Sequence, residues 1–270
     1  MTQPNPSTAQ ARAIVDELNR QGVDYAVISP GSRSAALAIA FEEHRGVATR
    51  VVTDERSAAF HALGRARASG SPVVVLATSG TALANHLPAV VEAHLSLVPL
   101  ISISADRPPD LLHVGANQTM DQPGIFGERV RWSCSIPPAE NGVDSNGYWR
   151  SSVAQAVARA RGHGARPGPV HLNVAFREPT VPVQDDGRSR ADPYPFSIEG
   201  RPDDAPWQTH QRSVPGKVSV DLGGRGLIVA GEGDFDPEAV SAAAGTLGWP
   251  VLATATSGLR SFESIHTYHQ

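Results

Sequence analysis

The chain has a single cysteine, Cys134, among its 270 residues. One thiol can form neither an intrachain disulfide framework nor a cysteine-based zinc site, so a packed core must hold the fold, and a reducing cytoplasm is the expected compartment. Long apolar runs are missing too. Stretches such as "VVVLA" at 73–77 fall far short of the ~20 residues needed to span a bilayer. The first 20 residues carry Pro, Asp, Glu and Arg and no apolar core, which predicts no signal peptide. There is no excess of positive charge: 23 Lys and Arg against 27 Asp and Glu leave a net charge of −4, which argues against a general nucleic-acid binder. The dinucleotide fingerprint G-x-G-x-x-G is absent, and "GEGD" at 231–234 is only a glycine turn. His44, His61, His86, His94, His113 and His171 are scattered with no H-E-x-x-H spacing. They read as packing or surface residues rather than metal ligands.

What is present suffices for a globular core: 40% hydrophobic residues against 19% charged. Residues 1–178 alternate in pattern. Helix-like segments at 7–21, 34–44, 55–69, 81–96 and 148–162 fall between short apolar runs at 24–29, 49–53, 72–77, 98–104, 129–136 and 169–175. Runs of this length, apolar at nearly every position, predict parallel strands buried on both faces. The alternation predicts right-handed crossovers in a doubly wound, mostly parallel α/β domain. Residues 179–216 hold seven prolines and no periodicity, and read as an extended surface linker. Beyond them, 226–233, 236–248 and 250–258 form a second strand–helix–strand unit. Residues 217–270 are therefore expected to be the start of a further α/β domain, incomplete because so few residues cannot close one.

The strand ends carry the chemistry. The first runs into "SPGSRSAAL", where Ser32 or Ser34 can cap the next helix and Arg33 adds a forked cation suited to carboxylate or phosphate. The second ends in "TDERSAAF", with Asp54 and Glu55 at a helix start, where either could simply complement the helix dipole. The third ends in "TSGTALAN", placing Thr78, Ser79 and Gly80 in a turn. The fourth ends in "SADRPP", where two prolines stop the chain from continuing as helix after Arg107. Asn117 and Gln118 follow in the amide-rich loop "GANQTMDQ" and suit either a polar substrate or local backbone capping. Open parallel sheets bind ligands outside the carboxyl ends of their strands. The collection predicts a site for carboxylates beside one acidic group.

In this order and spacing, "SPGSRSAAL", "TDERSAAF", "ATSGTALAN", "ISADRPPDLL" and "GANQTMDQ" resemble the N-terminal pyrimidine-binding domain of the 2-succinyl-5-enolpyruvyl-6-hydroxy-3-cyclohexene-1-carboxylate synthases, the menaquinone-biosynthesis branch of the thiamine-diphosphate enzymes. The resemblance covers about 1–178 well and the remainder, which resembles the family's middle domain, in part. It implies a cytoplasmic transferase that uses thiamine diphosphate and Mg2+, decarboxylates 2-oxoglutarate and adds the succinyl unit to isochorismate. Glu55 then matches the glutamate that faces N1′ of the aminopyrimidine. Thr78, Ser79 and Gly80 would lie beside that ring. Ser32, Arg33 and Arg107 match residues associated with isochorismate's carboxylates, and Asn117 and Gln118 match residues near the cofactor-bound intermediate.

One departure limits the expectation. The family holds the diphosphate through the metal with a G-D-G motif and a later Asn. This sequence has no G-D-G and no asparagine after Asn173. The chain alone is therefore expected to be inactive, and to need a homo-oligomer or a partner chain that carries the diphosphate-binding domain. The alternatives are another thiamine-diphosphate-dependent 2-oxoacid decarboxylase or synthase, and a non-catalytic carboxylate-binding or dimerisation fragment.

Overall fold

The computed structural model describes residues 4–181, 192–210, 216, 218–233, 235–260 and 264–265. Two compact units divide the chain, Met1–Arg212 and Ser213–Gln270.

The first unit opens with α1 (Pro6–Arg20). Asn5 starts it by accepting the Thr8 N–H at 2.8 Å, and Pro6 brings a preset φ and no donor to waste. The sheet follows: β1 (Tyr25–Ile28), β2 (Ala48–Val51), β3 (Val73–Ala77), β4 (Leu100–Asp106), β5 (Trp132–Ile136) and β6 (Val170–Ala175). Its order is β2-β1-β3-β4-β6-β5, and every pairing is parallel. Between the strands run α2 (Ala35–Glu43), α3 (Glu55–Ser69), α4 (Thr81–Ala84), α5 (Leu87–Leu95) and α6 (Asn146–Ala160).

Two apolar clusters sandwich the sheet. One joins α1, α2 and α6 through Ile14, Leu18, Leu37, Phe41, Trp149 and Val153. The other joins α3 and α5 through Ala58, Ala62, Leu63, Val90 and Phe126. This is the predicted doubly wound α/β layer. Burial on both faces holds for β3, β4 and β6, whose every residue is buried, and for β1 apart from Tyr25. It fails for the edge strands: β2 is largely exposed and β5 alternates. An edge strand has a neighbour on one side only, so less of it is covered.

The segment expected as one helix over 81–96 is two. Pro88 lacks an N–H and its ring opposes the carbonyl four residues back, at Ala84, where α4 stops. Of the proline-rich segment, residues 179–181, 192–210 and 216 are described; 192–210, which include a 3-10 turn at Pro202–Asp204, are fastened to the rest of the first unit. Tyr194, Phe196 and Ile198, at alternating positions of an extended chain, all turn toward the core. The Tyr194 ring packs tilted against Trp149, with centroids 5.4 Å apart, and its hydroxyl donates to the Val143 carbonyl at 2.9 Å. Buried Arg150 joins Glu17 and Asp16 to the Ile198 carbonyl. The rest of that linker, 182–191 and 211–215, lies outside the described residues.

In the second unit β7 (Ile228–Ala230) and β8 (Val251–Ala253) pair in parallel around α7 (Pro237–Leu247). Asp236 caps α7 at 2.9 Å from the Glu238 N–H, and Gly248 closes it at φ 65°. A small core of Ala230, Ala244, Val251, Ala253 and Leu259 holds the unit.

Candidate active site

Strand order locates the crevice. From β1 the chain crosses to β2 on one side, then returns past β1 to β3 on the other. The helices of these two crossovers, α2 and α3, belong to opposite core clusters. The sheet therefore opens between the carboxyl ends of β1 and β3, the place where such sheets take ligands. The turns beyond those two ends touch: a Cβ at Gly31 would overlap the Thr78 side chain, so only glycine fits there.

Ser34 sits before α2, but its hydroxyl turns back to the Gly31 carbonyl at 3.1 Å and caps nothing. The cap expected from Ser32 or Ser34 is thus absent, because the turn's own carbonyl competes for the hydroxyl. Ser32 is exposed, and its carbonyl accepts from Thr180 Oγ1 at 3.0 Å. Arg33 is mostly buried. Its Nη1 donates to the Phe176 carbonyl at 3.0 Å and its Nη2 pairs with Glu178 at 3.1 Å.

At the end of β2 the two neighbouring acids separate in role. Asp54 accepts the Ser57 N–H at 2.7 Å and caps α3; its hydrogen bonds to Ser57 hold its carboxyl below the usual carboxylate range. Glu55 begins the helix, is half-buried, and has no hydrogen-bond partner among the described residues. Only Glu55 is left free for chemistry.

The ends of β3 and β4 interlock. Arg107 Nη1 donates to Ser79 Oγ and, at 2.9 Å, to the Gln118 carbonyl, while Gln118 Nε2 donates to the Ser79 carbonyl at 2.9 Å. Gly80 takes φ 80°, and a Cβ there would lie 2.9 Å from Gln118 Cγ and its carbonyl oxygen. Backbone freedom and close approach both require glycine. Burial lowers the Arg107 pKa, and the nearby Arg33 charge lowers it further, against Asp106 and Glu178. The two arginines therefore feel one another. Thr78, Ser79, Gly80, Arg107 and Gln118 come together with the Arg33 turn. Asn117 does not join them: it is exposed, and only its carbonyl is engaged, by Thr119 Oγ1 at 3.2 Å.

A buried network behind these turns was not anticipated from sequence. Gln122 Oε1 accepts the Gly80 N–H at 2.7 Å, and its Nε2 donates to Asn173 Oδ1 at 2.7 Å. Asn173 Nδ2 donates to Asp106 Oδ2 at 2.7 Å, and Asp106 Oδ1 accepts the Arg107 N–H at 2.7 Å. Ser104 Oγ donates to Asn173 Oδ1 at 2.8 Å and so accepts from His171 Nε2, also at 2.8 Å. Burial pushes the Asp106 carboxyl up, against the Asn173 and Arg107 bonds. The signal was there: Ser102, Ser104 and Asp106 alternate along β4, as do His171 and Asn173 along β6, so in both strands polar residues share one face.

Residues 9–125 match the family model described as thiamine pyrophosphate enzyme, N-terminal TPP binding domain. The chain carries this TPP-binding domain. Several curated relatives are named 2-succinyl-5-enolpyruvyl-6-hydroxy-3-cyclohexene-1-carboxylate synthase. That of Thermobifida fusca (strain YX) is 48% identical over 98% of this chain and 47% of its own length. That of Halobacterium salinarum (strain ATCC 29341 / DSM 671 / R1) is 42% identical over 96% of this chain and 47% of its own. That of Mycobacteroides abscessus is 48% identical over 85% and 43%. The chain thus spans about half the length of these relatives and corresponds to their N-terminal portion. The matched TPP-binding domain runs from within α1 to Ile125, and so contains every predicted site residue. Asn173, His171 and Glu178 lie beyond it. Among the described residues no helix is long and apolar enough to cross a membrane, and no group of three or more His, Cys, Asp or Glu could hold a metal.

Proposed function

We propose that this chain forms the pyrimidine side of a thiamine-diphosphate-dependent synthase that decarboxylates 2-oxoglutarate and joins the remaining succinyl unit to isochorismate. The observation that carries the reading is the interlocked group of Ser79, Arg107 and Gln118 beside the Arg33 turn at the strand-switch crevice. The residues fit the cofactor's pyrimidine half. Gly80, after β3, presents bare backbone where a Cβ would strike Gln118, and Glu55 keeps a free carboxylate after β2, on the far side of β1 from it. Thiamine diphosphate, when bound, supplies the carbon nucleophile. Glu55 holds a proton at N1′ of its ring, as a positioned acid–base group in a crevice does. Arg33 and Arg107 receive carboxylates of the acceptor through charge-assisted, forked hydrogen bonds, and Ser32 and Gln118 orient it. Asn117 is held to the same role only by its place in the loop.

The residues here do not fit the diphosphate and Mg2+, since the G-D-G motif is missing and the described acids form no metal cluster. We assign that half to further sequence or a partner subunit, as in a homo-oligomer, in the cytoplasm. These 270 residues alone, mixed with thiamine diphosphate, Mg2+, 2-oxoglutarate and isochorismate, are expected to consume no isochorismate above a protein-free control. Turnover would contradict the assignment.

The acceptor reading is tested on the active assembly through Arg107. Charge-assisted bonds contribute ~1.5–3 kcal/mol, so Arg107→Ala should weaken isochorismate use roughly ten- to a hundredfold. Arg107→Lys, which keeps the charge and loses the fork, should be impaired as well. Release of CO2 from 2-oxoglutarate, assayed separately, should change much less. Equal loss of both steps, or loss of neither, would exclude the acceptor role.

A further inference from the structure

The segment after β6, residues 176–180, has no part in the chemistry above, yet it fastens both arginine-bearing turns. Thr180 Oγ1 donates to the Ser32 carbonyl at 3.0 Å, and Arg33 Nη1 donates to the Phe176 carbonyl at 3.0 Å. Arg177 Nη2 pairs with Asp110 at 2.7 Å, in the short 3-10 turn just past Arg107. Glu178 provides the contact that matters most. Its Oε1 lies 3.1 Å from Arg33 Nη2, and its Oε2 accepts weakly from the Thr180 N–H at 3.3 Å.

That ion pair is lopsided. The Arg33 side chain is 11% exposed, whereas that of Glu178 is 71% exposed. The cation is fixed in the fold, and its counter-ion stands in water. The hold is also incomplete. Nε and Nη2 form the side edge of a guanidinium, which a carboxylate can take with both oxygens. Glu178 reaches only Nη2, and Nε is buried with no hydrogen-bond partner. A donor buried without an acceptor is unfavourable, and this one belongs to a cation whose side edge is only partly used.

We propose that Glu178 is a displaceable internal counter-ion. It occupies half of the Arg33 fork until an incoming substrate carboxylate takes the whole of it, and it thereby tunes affinity and favours ligands whose carboxylate can engage both donors. This deepens the acceptor-site reading above and rests on it. Displacement costs little on the Glu178 side, because that carboxylate is already largely hydrated, and the incoming carboxylate takes over the charge of the mostly buried Arg33, which is never left unpaired. A carboxylate that satisfies Nε as well as Nη2 gains a bond that Glu178 never made. Once displaced, Glu178 remains close and repels the bound anion, so its charge opposes binding in both states. Its influence reaches Arg107 too, whose pKa it raises.

The test is an equilibrium titration of isochorismate into the active assembly, for the wild type, Glu178→Gln, Glu178→Ala, Arg33→Ala and the double variant Arg33→Ala/Glu178→Gln. Both Glu178 variants alter an exposed side chain, but they remove the counter-ion of a mostly buried cation, so the unfolding midpoint of each is measured beside its affinity. Each should tighten binding about two- to fivefold at low ionic strength, the range typical of exposed ion pairs, with the gain shrinking in 0.5 M salt as charges are screened. Arg33→Ala should weaken binding tenfold or more, and adding Glu178→Gln to it should then gain nothing. If Arg33→Ala weakens binding but the Glu178 variants weaken it or leave it unchanged, Glu178 is no competitor and this proposal fails while the acceptor reading stands. If the Glu178→Gln gain persists without Arg33, a general field is responsible and the proposal fails again. If Arg33→Ala changes nothing, the acceptor reading of Arg33 falls, and the counter-ion role with it.

Discussion

Glu55→Gln is expected to slow exchange of the thiamine C2 hydrogen by ~10²–10⁴ in the active assembly, with little change in the unfolding midpoint. The reason is the division of labour at the start of α3. Asp54 holds the Ser57 N–H, while Glu55 is half-buried with its carboxylate free. An amide keeps the size of the side chain but cannot hold a proton at N1′. The neighbouring variant should behave in the opposite way. Asp54→Ala removes a helix cap, so it should lower the melting temperature and leave the exchange rate nearly intact. Exchange is followed by the loss of the C2 proton resonance in deuterated buffer. An unchanged rate in Glu55→Gln would reduce Glu55 to a helix-start carboxylate.

The fold should lose stability steeply between about pH 6.5 and pH 4. His86, whose Nδ1 meets Ser102 Oγ of β4 at 3.0 Å, and His171, near the start of β6, are both buried. Burial, with a smaller contribution from the charge of His171, pushes His86 down to about 3, and burial pushes His171 down to about 4. In the unfolded chain both titrate near ~6.5. Above that pH neither state carries the proton and the full stability is present. As the pH falls through the window, the unfolded chain takes up protons that the folded one refuses, so stability is lost until the folded values are reached. At ~1.4 kcal/mol per pH unit for each group, the pair should remove on the order of 4 kcal/mol by pH 5, a large share of the 5–15 kcal/mol typical of a domain. Asp106 acts with the opposite sign. Its raised pKa favours the fold as pH falls through its own range, which blunts the loss at the acid end. Urea unfolding at a series of pH values measures the slope, and the imidazole proton shifts of the two residues should stay constant from pH 7 to pH 5. A flat stability profile, or either ring titrating in the folded state near its ordinary value, would overturn this account.

Much of the molecule was legible from local pattern. Short β-branched runs such as "VVVLA" suit strands buried on both faces of a parallel sheet, and the alternation with helices called for crossovers. The turn motifs followed because each lies within ten or so residues of the strand that positions it. Edge exposure of β2 and β5 was not legible, since the order of strands is a property of the assembled sheet. The fastened proline-rich segment was missed because its signal, the alternation of Tyr194, Phe196 and Ile198, is only three residues long.

The amino-acid sequence by itself determined the fold class, the positions of the strand ends and the identities of the residues standing there, because backbone preference and apolar periodicity act over a few neighbours. Only the tertiary structure decided what those residues do. It turned Ser34 away from its helix and divided Asp54 from Glu55. It brought the Arg33 guanidinium to the Phe176 carbonyl, 143 positions away, and set Glu178 beside it. It aligned Ser104 with Asn173 across the β4–β6 register, so that a buried network holds the backbone of both Gly80 and Arg107. A hydrogen bond depends on distance and direction between partners that chain connectivity leaves independent, and those are set only when the sheet and its two helical layers close.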